Sequence, residues 1–113
     1  VKPYGVTATV TYTRGVPPVD NDNASVVALS RAAMLLLGTS GVQPTKQSMG
    51  GEDLGWYLQQ VPGAMARLGT RTPGGPTFEL HQGDLVVDED AVLVAASLLA
   101  SSVFTSLGPQ GLQ

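Results

Sequence analysis

An α/β fold is what this sequence predicts, and three observations carry that reading. Apolar and polar residues alternate from Tyr4 to Arg14, apolar residues recur at helical spacing from Ala24 to Leu37, and a second apolar helix follows the acidic run Asp88-Glu89-Asp90. Strands alternating with helices argue a sandwich of sheet and helices in preference to an all-helical bundle.

In the first element Tyr4, Val6, Ala8, Val10 and Tyr12 fall on one face, and Gly5, Thr7, Thr9, Thr11 and Thr13 on the other. A period of two rich in β-branched residues predicts a strand with one buried face. Gly15-Val16-Pro17-Pro18 ends it, because proline donates no backbone hydrogen bond and holds the residue before it extended. That run reads as a stiff crossing between two structural units. Asn21, Asp22 and Asn23 then offer side-chain oxygens to the free amides of a helix over Ala24 to Leu37. Val26, Leu29, Ala33 and Leu37 form its apolar stripe, and Gly38 closes it.

Further along, Gly41 to Gln47 holds a short strand around Val42. Gly50-Gly51 leads into a helix predicted over Glu52 to Gln60, with acidic residues in its first turn to complement the helix dipole. Pro62 and Gly63 close that helix, and a second extended segment covers Ala64 to Thr70. After the loop Thr72-Pro73-Gly74-Gly75-Pro76 the chain runs through Phe78 and Leu80 to His81, whose imidazole is expected to project from a strand end. The last helix opens at Asp88 and buries Val92, Ala95, Ala96, Leu99 and Val103.

The 113 residues amount to one ordinary domain, with room for a modest core. The chain begins at Val1 in what reads as the middle of a strand, so a fragment or processed product is expected. Six basic residues against nine acidic ones give a net charge of −3, and Lys2, Arg14, Arg31, Lys46, Arg67 and Arg71 are scattered. Without a basic stripe to neutralise phosphates, nucleic acid is not an expected partner. Polar residues interrupt every apolar stretch before it reaches bilayer length, so no membrane association is expected. The absence of cysteine excludes disulfides and thiolate metal sites within this segment. We expect a cytoplasmic location.

Two constellations could carry chemistry. Gly50 and Gly51 let the backbone approach a ligand, and unpaired amides at a helix start suit a carboxylate or an oxyanion; the same residues also make an ordinary helix start. His81 is the only imidazole. It is either a ligand or an ordinary satisfied histidine, and one imidazole makes no metal site, since zinc takes three or four protein ligands. Glu52, Asp53, Glu79 and Asp84 are the nearby carboxylates, and no HExxH spacing selects among them. The serines lack a G-x-S-x-G elbow, and Gly74-Gly75 lacks the spacing and lysine of a phosphate loop. Trp56 and Tyr57 have no basic neighbours and read as core and rim aromatics.

Ser48-Met49-Gly50-Gly51-Glu52-Asp53-Leu54-Gly55-Trp56-Tyr57-Leu58, then Val61-Pro62-Gly63-Ala64, Arg67-Leu68-Gly69 and Leu80-His81, together resemble the C-terminal part of hippuricase-like amidohydrolases. These are the N-acyl-amino-acid and indole-acetyl-amino-acid hydrolases, related to aminoacylase and carboxypeptidase G. The similarity extends to the opening strand and to Pro17-Pro18-Val19-Asp20-Asn21, and so covers nearly the whole chain.

The resemblance implies the C-terminal part of a metallohydrolase catalytic sandwich, preceded by the last strand of an inserted lid and dimerisation domain. Residues 1–16 would be that lid strand, residues 17–22 a hinge built on Pro17, Pro18 and Asn21, and residues 23–113 the catalytic portion. It further implies hydrolysis of the amide bond of N-acyl-amino acids by a metal-activated water. Two divalent ions, zinc or manganese, would be held at the site, with the glutamate base outside this chain. By the same resemblance His81 matches the family's last metal ligand. Gly50 and Gly51 match the loop beside the active site, where they contact the substrate carboxylate or support the metal site. The family's His-rich, Cys-containing segment and its paired glutamates are missing here. This segment therefore holds no catalytic residue and is expected to be inactive alone, with an incomplete metal site. The expected partners are a small N-acyl-amino-acid substrate and a second copy, as a homodimer or a strand-swapped assembly, because an open strand edge recruits another chain. The alternative is a non-catalytic binding or assembly module that keeps the fold.

Overall fold

Local signals in the chain set its helices. Asp22 accepts hydrogen bonds from the Ser25 amide at 2.8 Å and the Ser25 hydroxyl at 2.9 Å, starting helix α1, Asn23–Leu37. Gly38, at φ +73°, ends it by donating its amide to the Met34 carbonyl at 2.9 Å. A short helix α2 spans Leu54–Leu58, and the closing helix α3 spans Asp90–Leu107. The computed structural model describes residues 2–108. Among them the remaining regular structure is two 3-10 turns, Lys2–Tyr4 and Thr39–Gly41.

No strand forms among the described residues, so they do not show the sheet of the expected α/β sandwich. Alternation decides which face a strand would bury, but a strand exists only through hydrogen bonds to a neighbouring one. Nothing in the described chain pairs with residues 6–14, and Tyr4, Val10 and Tyr12 are more than 80% exposed. The segments expected to be extended at 41–47 and 64–70 carry no ladder either. The single bond from the Asp88 amide to the Thr70 carbonyl, 2.7 Å, ties the latter to the start of α3.

α1 and α3 pack on one another. Small residues let α1 approach closely, and Ala32 is fully buried in it. On α3 the sheltered positions are Ala91, Val94, Ala95, Ser97, Leu98, Ser101, Ser102 and Thr105. The expected stripe of Val92, Ala95, Ala96, Leu99 and Val103 is therefore corrected: Val92 is 69% exposed, Leu99 67% and Val103 54%. The helix is apolar around its circumference, so its sequence does not choose between faces, and α1 takes one of them.

α3 is also long and apolar enough, by length and composition, to cross a membrane, contrary to the expectation that polar residues interrupt every such stretch. The interruptions are absorbed locally. Ser102 donates to the Leu99 carbonyl (2.8 Å), Thr105 to that of Ser101 (2.8 Å) and Ser106 to that of Ser102 (2.7 Å), so these hydroxyls bond to their own helix.

The dimensions of the chain follow from this thin core. The radius of gyration is 19.8 Å, whereas a compact domain of this length has about 13 Å. Its accessible surface is 9724 Å², against about 5,800 Å² for a folded monomer of the same mass.

Candidate functional site

The residues singled out in the sequence fall in two places. The first is a cleft of about 450 Å³ between the Pro17–Asn21 strap and the Gly50-Gly51 loop. Ser48 shapes the loop by accepting a hydrogen bond from the Gly50 amide at 3.1 Å. Gly51 lies so close to the strap that a Cβ there would stand 2.8 Å from Val16 Cγ2. One turn further, Gly55 is buried, and a Cβ on it would collide with the Pro17 carbonyl oxygen. Close approach of the backbone requires glycine at Gly55, whereas at Gly51 the Val16 side chain would have to shift.

The strap is pinned at its other end too. The Asp22 amide donates to the Gly63 carbonyl at 2.9 Å, and the Met65 amide donates to Asn21 Oδ1 at 2.9 Å. Pro17 is buried. The residues expected to act as a hinge, Pro17, Pro18 and Asn21, thus meet the Gly50-Gly51 loop across one cleft, and Pro17 and Asn21 are held in place. Arg67 completes the lining.

α2 is only five residues long and begins at Leu54, so Glu52 and Asp53 precede it. Asp53 makes no side-chain capping bond. The expected helix over Glu52 to Gln60 with an acidic first turn is corrected accordingly. The pair Pro62-Gly63 closes the chain behind it, and so short a helix has little dipole for acids to complement.

His81 is the second place. It does not line the strap cleft, and it stands in a turn at φ +69°, the one non-glycine residue with positive φ among those described. The turn is held by the Glu79 amide donating to Gln82 Oε1 at 3.2 Å and by the Leu85 amide donating to the Gln82 carbonyl at 3.3 Å. The expected strand-end projection is therefore a turn projection. Among the described residues no group of three or more His, Asp or Glu side chains could hold a metal ion. His81 thus belongs to no such group among the described residues.

Sequence reasoning passed over Arg67 and Gly55. Arg67 interrupts the otherwise apolar run Ala64-Met65-Ala66-Arg67-Leu68, and Gly55 sits inside a predicted helix, where glycine costs stability unless something packs on it. Both were visible as exceptions to their surroundings. The one resolved electrostatic effect is structural: hydrogen bonds from the Ser25 amide and then the Ser25 hydroxyl hold the Asp22 carboxyl below its ordinary value.

Against known proteins, residues 3–105 match peptidase family M20/M25/M40. A Rhodococcus jostii protein carrying a glutamate–cysteine ligase name is 45% identical over 80% of this chain and 12% of its own length. N-acetylcysteine deacetylase of Bacillus subtilis is 35% identical over 86% of this chain and 24% of its own. The IAA-amino acid hydrolase ILR1-like 6 of Arabidopsis thaliana is 31% identical over 75% of this chain and 18% of its own. The chain spans between 12% and 26% of the length of such relatives. No solved structure matches it.

Proposed function

We propose, because this chain belongs to peptidase family M20/M25/M40, that it is one part of a hydrolase that cleaves the amide bond of N-acyl-amino acids. The match over residues 3–105 is the observation that carries this reading. The relatives' names support the substrate class: one is a deacetylase of N-acetylcysteine and another a hydrolase of IAA-amino acids. Enzymes of the family are generally metal-dependent. The described residues do not by themselves fit a metal centre, since no three of their His, Asp or Glu side chains gather to hold an ion. Two divalent ions, zinc or manganese, would therefore need ligands and a glutamate base from outside this segment, with His81 as its single contribution.

Under this reading residues 1–16 are the last strand of a lid, residues 17–22 connect it to the catalytic portion, and residues 23–113 belong to that portion's α/β sandwich. Val1 and residues 109–113 lie outside the described residues. The exposed outer face of α3 is then covered by the rest of the sandwich and not by lipid. A cytoplasmic location, a second copy as partner and the absence of nucleic acid complete the proposal.

A second reading, a non-catalytic binding or assembly module that keeps the fold, is favoured by the lack, among the described residues, of any group of three or more side chains that could hold a metal ion. The test is the full-length protein that carries this segment, assayed for divalent ions and for hydrolysis of N-acetyl-L-leucine. We expect about two ions per chain and a loss of about a hundredfold or more in His81→Ala. A metal-free, inactive protein would leave the assembly module standing.

A further inference from the structure

Contact between the strap and the Gly50-Gly51 loop begins at Val16. A Cβ on Gly15 would meet nothing within 4 Å, whereas a Cβ on Gly51 would stand 2.8 Å from Val16 Cγ2, so the valine methyl rests on the Gly51 backbone. We propose that Val16 is a positioning residue, a fixed stop that sets how far the Gly50-Gly51 loop lies from the strap and so holds the loop in its working place. This rests on the amidohydrolase reading above.

The stop is rigid. Val16 precedes Pro17, whose ring confines the backbone before it to extended conformations, and a β-branched side chain has few χ1 choices. Pro17 is buried, and its carbonyl oxygen lies where a Cβ on Gly55 would collide with it. Asn21 and Asp22 tie the far end of the strap to Met65 and Gly63. The strap therefore has no room to retreat from the loop.

The loop, in contrast, yields. Two consecutive glycines restrict the backbone least, and among the described residues the hydrogen bonding within residues 48–51 amounts to the Gly50 amide donating to Ser48 Oγ at 3.1 Å. A pliant loop against a rigid stop takes its position from the stop. The two neighbouring glycines then differ in kind. Gly51 has no positive φ, so alanine is free of backbone strain there, and the one atom its Cβ would meet is on the Val16 side chain. At Gly55 the obstacle is the backbone of Pro17 and Pro18, which no side-chain change removes. Trimming Val16 should therefore relieve a methyl added at Gly51 and leave one added at Gly55 unrelieved.

The experiment uses the full-length protein as wild type, as Val16→Ala, Gly51→Ala and Gly55→Ala, and as the two pairs that combine a glycine change with Val16→Ala. Amide hydrogen exchange, followed by mass spectrometry, reads the loop from Ser48 to Glu52, and steady-state hydrolysis of N-acetyl-L-leucine reads the site. In Val16→Ala, loop exchange should rise about fivefold, the size of a lost methyl contact. Its kcat should fall about tenfold or more through misplacement of the loop, while KM stays within about threefold. Val16→Ile, which keeps the branched Cγ2, should retain wild-type exchange and kcat. Gly51→Ala alone should lose as much kcat, and adding Val16→Ala should recover most of it, because the alanine methyl then fills the space that the valine vacated. The same addition should do nothing for Gly55→Ala. Unchanged loop exchange in Val16→Ala, additive losses in the Gly51 pair, or equal relief of Gly51→Ala and Gly55→Ala would overturn the proposal and leave the amidohydrolase reading intact. A wild type that hydrolyses nothing would remove that reading, and the exchange rates of the same variants would still decide what places the loop.

Discussion

His81 occupies a backbone conformation that glycine adopts without penalty. At φ +69° an L-residue is strained by about 1 kcal/mol relative to glycine, although histidine is among the side chains more often found there. Under the proposed function the imidazole is what this position supplies. His81→Gly should therefore leave thermal stability equal to or above wild type and still abolish hydrolysis in the full-length protein. A His81→Gly enzyme with normal turnover would remove the residue from the site. Asp22 offers a different test. Its carboxyl is held below the ordinary value of 3.8 by the Ser25 bonds, so the folded state binds its proton less readily than the unfolded chain. The cap's contribution is thus fully present above about pH 4 and fades as pH falls below 3.8, through the lowered folded value. Asp22→Asn should flatten that acid limb of the stability profile, read by circular dichroism between pH 5 and pH 2. Features of this kind were legible in the sequence because they are local. Asp22 and Gly38 act within four residues of their partners. That Arg67 lines the cleft was not legible, because the strap across from it comes from about fifty residues earlier.

At the level of elements, α1 and α3 were read from the chain, with their starts moved by one or two residues, and the strand that was also read does not form among the described residues. A helix satisfies its own backbone and carries its signals with it. Residues 4–14 hold the alternating pattern of a strand, yet the hydrogen bonds that would make them one must come from another segment. The outward face of α3 poses the same problem in apolar form. Leu99→Ala should cost about 2 kcal/mol or more in the full-length protein, as for a buried leucine, and change nothing measurable in the isolated 113-residue chain. Equal effects in both, read by denaturant unfolding, would mean that α3 has no further neighbour. Gly55→Ala tests the strap. The added methyl meets the Pro17 carbonyl, which should cost about 1–3 kcal/mol and weaken binding in the cleft beside it.

The whole molecule exposes far more surface than a finished domain of its length, and Pro17 and Ala32 are the only buried apolar side chains among those described. One helix pair cannot offset the conformational entropy of so long a chain. Expressed alone, the segment should self-associate and unfold without a cooperative transition, which light scattering and calorimetry would show. A monomer with a sharp transition would contradict that. The sequence resembled one family across nearly its full length, and the match over residues 3–105 bears this out. The site itself was only partly legible, since no group of three or more metal-ligating side chains gathers among the described residues. The most direct test is the rate of N-acetyl-L-leucine hydrolysis by the full-length protein before and after a chelator removes its divalent ions. Membership in this family with His81 as a ligand predicts hydrolysis that the chelator abolishes, that added zinc or manganese restores, and that His81→Ala does not regain. Hydrolysis indifferent to the chelator, or none at any metal concentration, would contradict it.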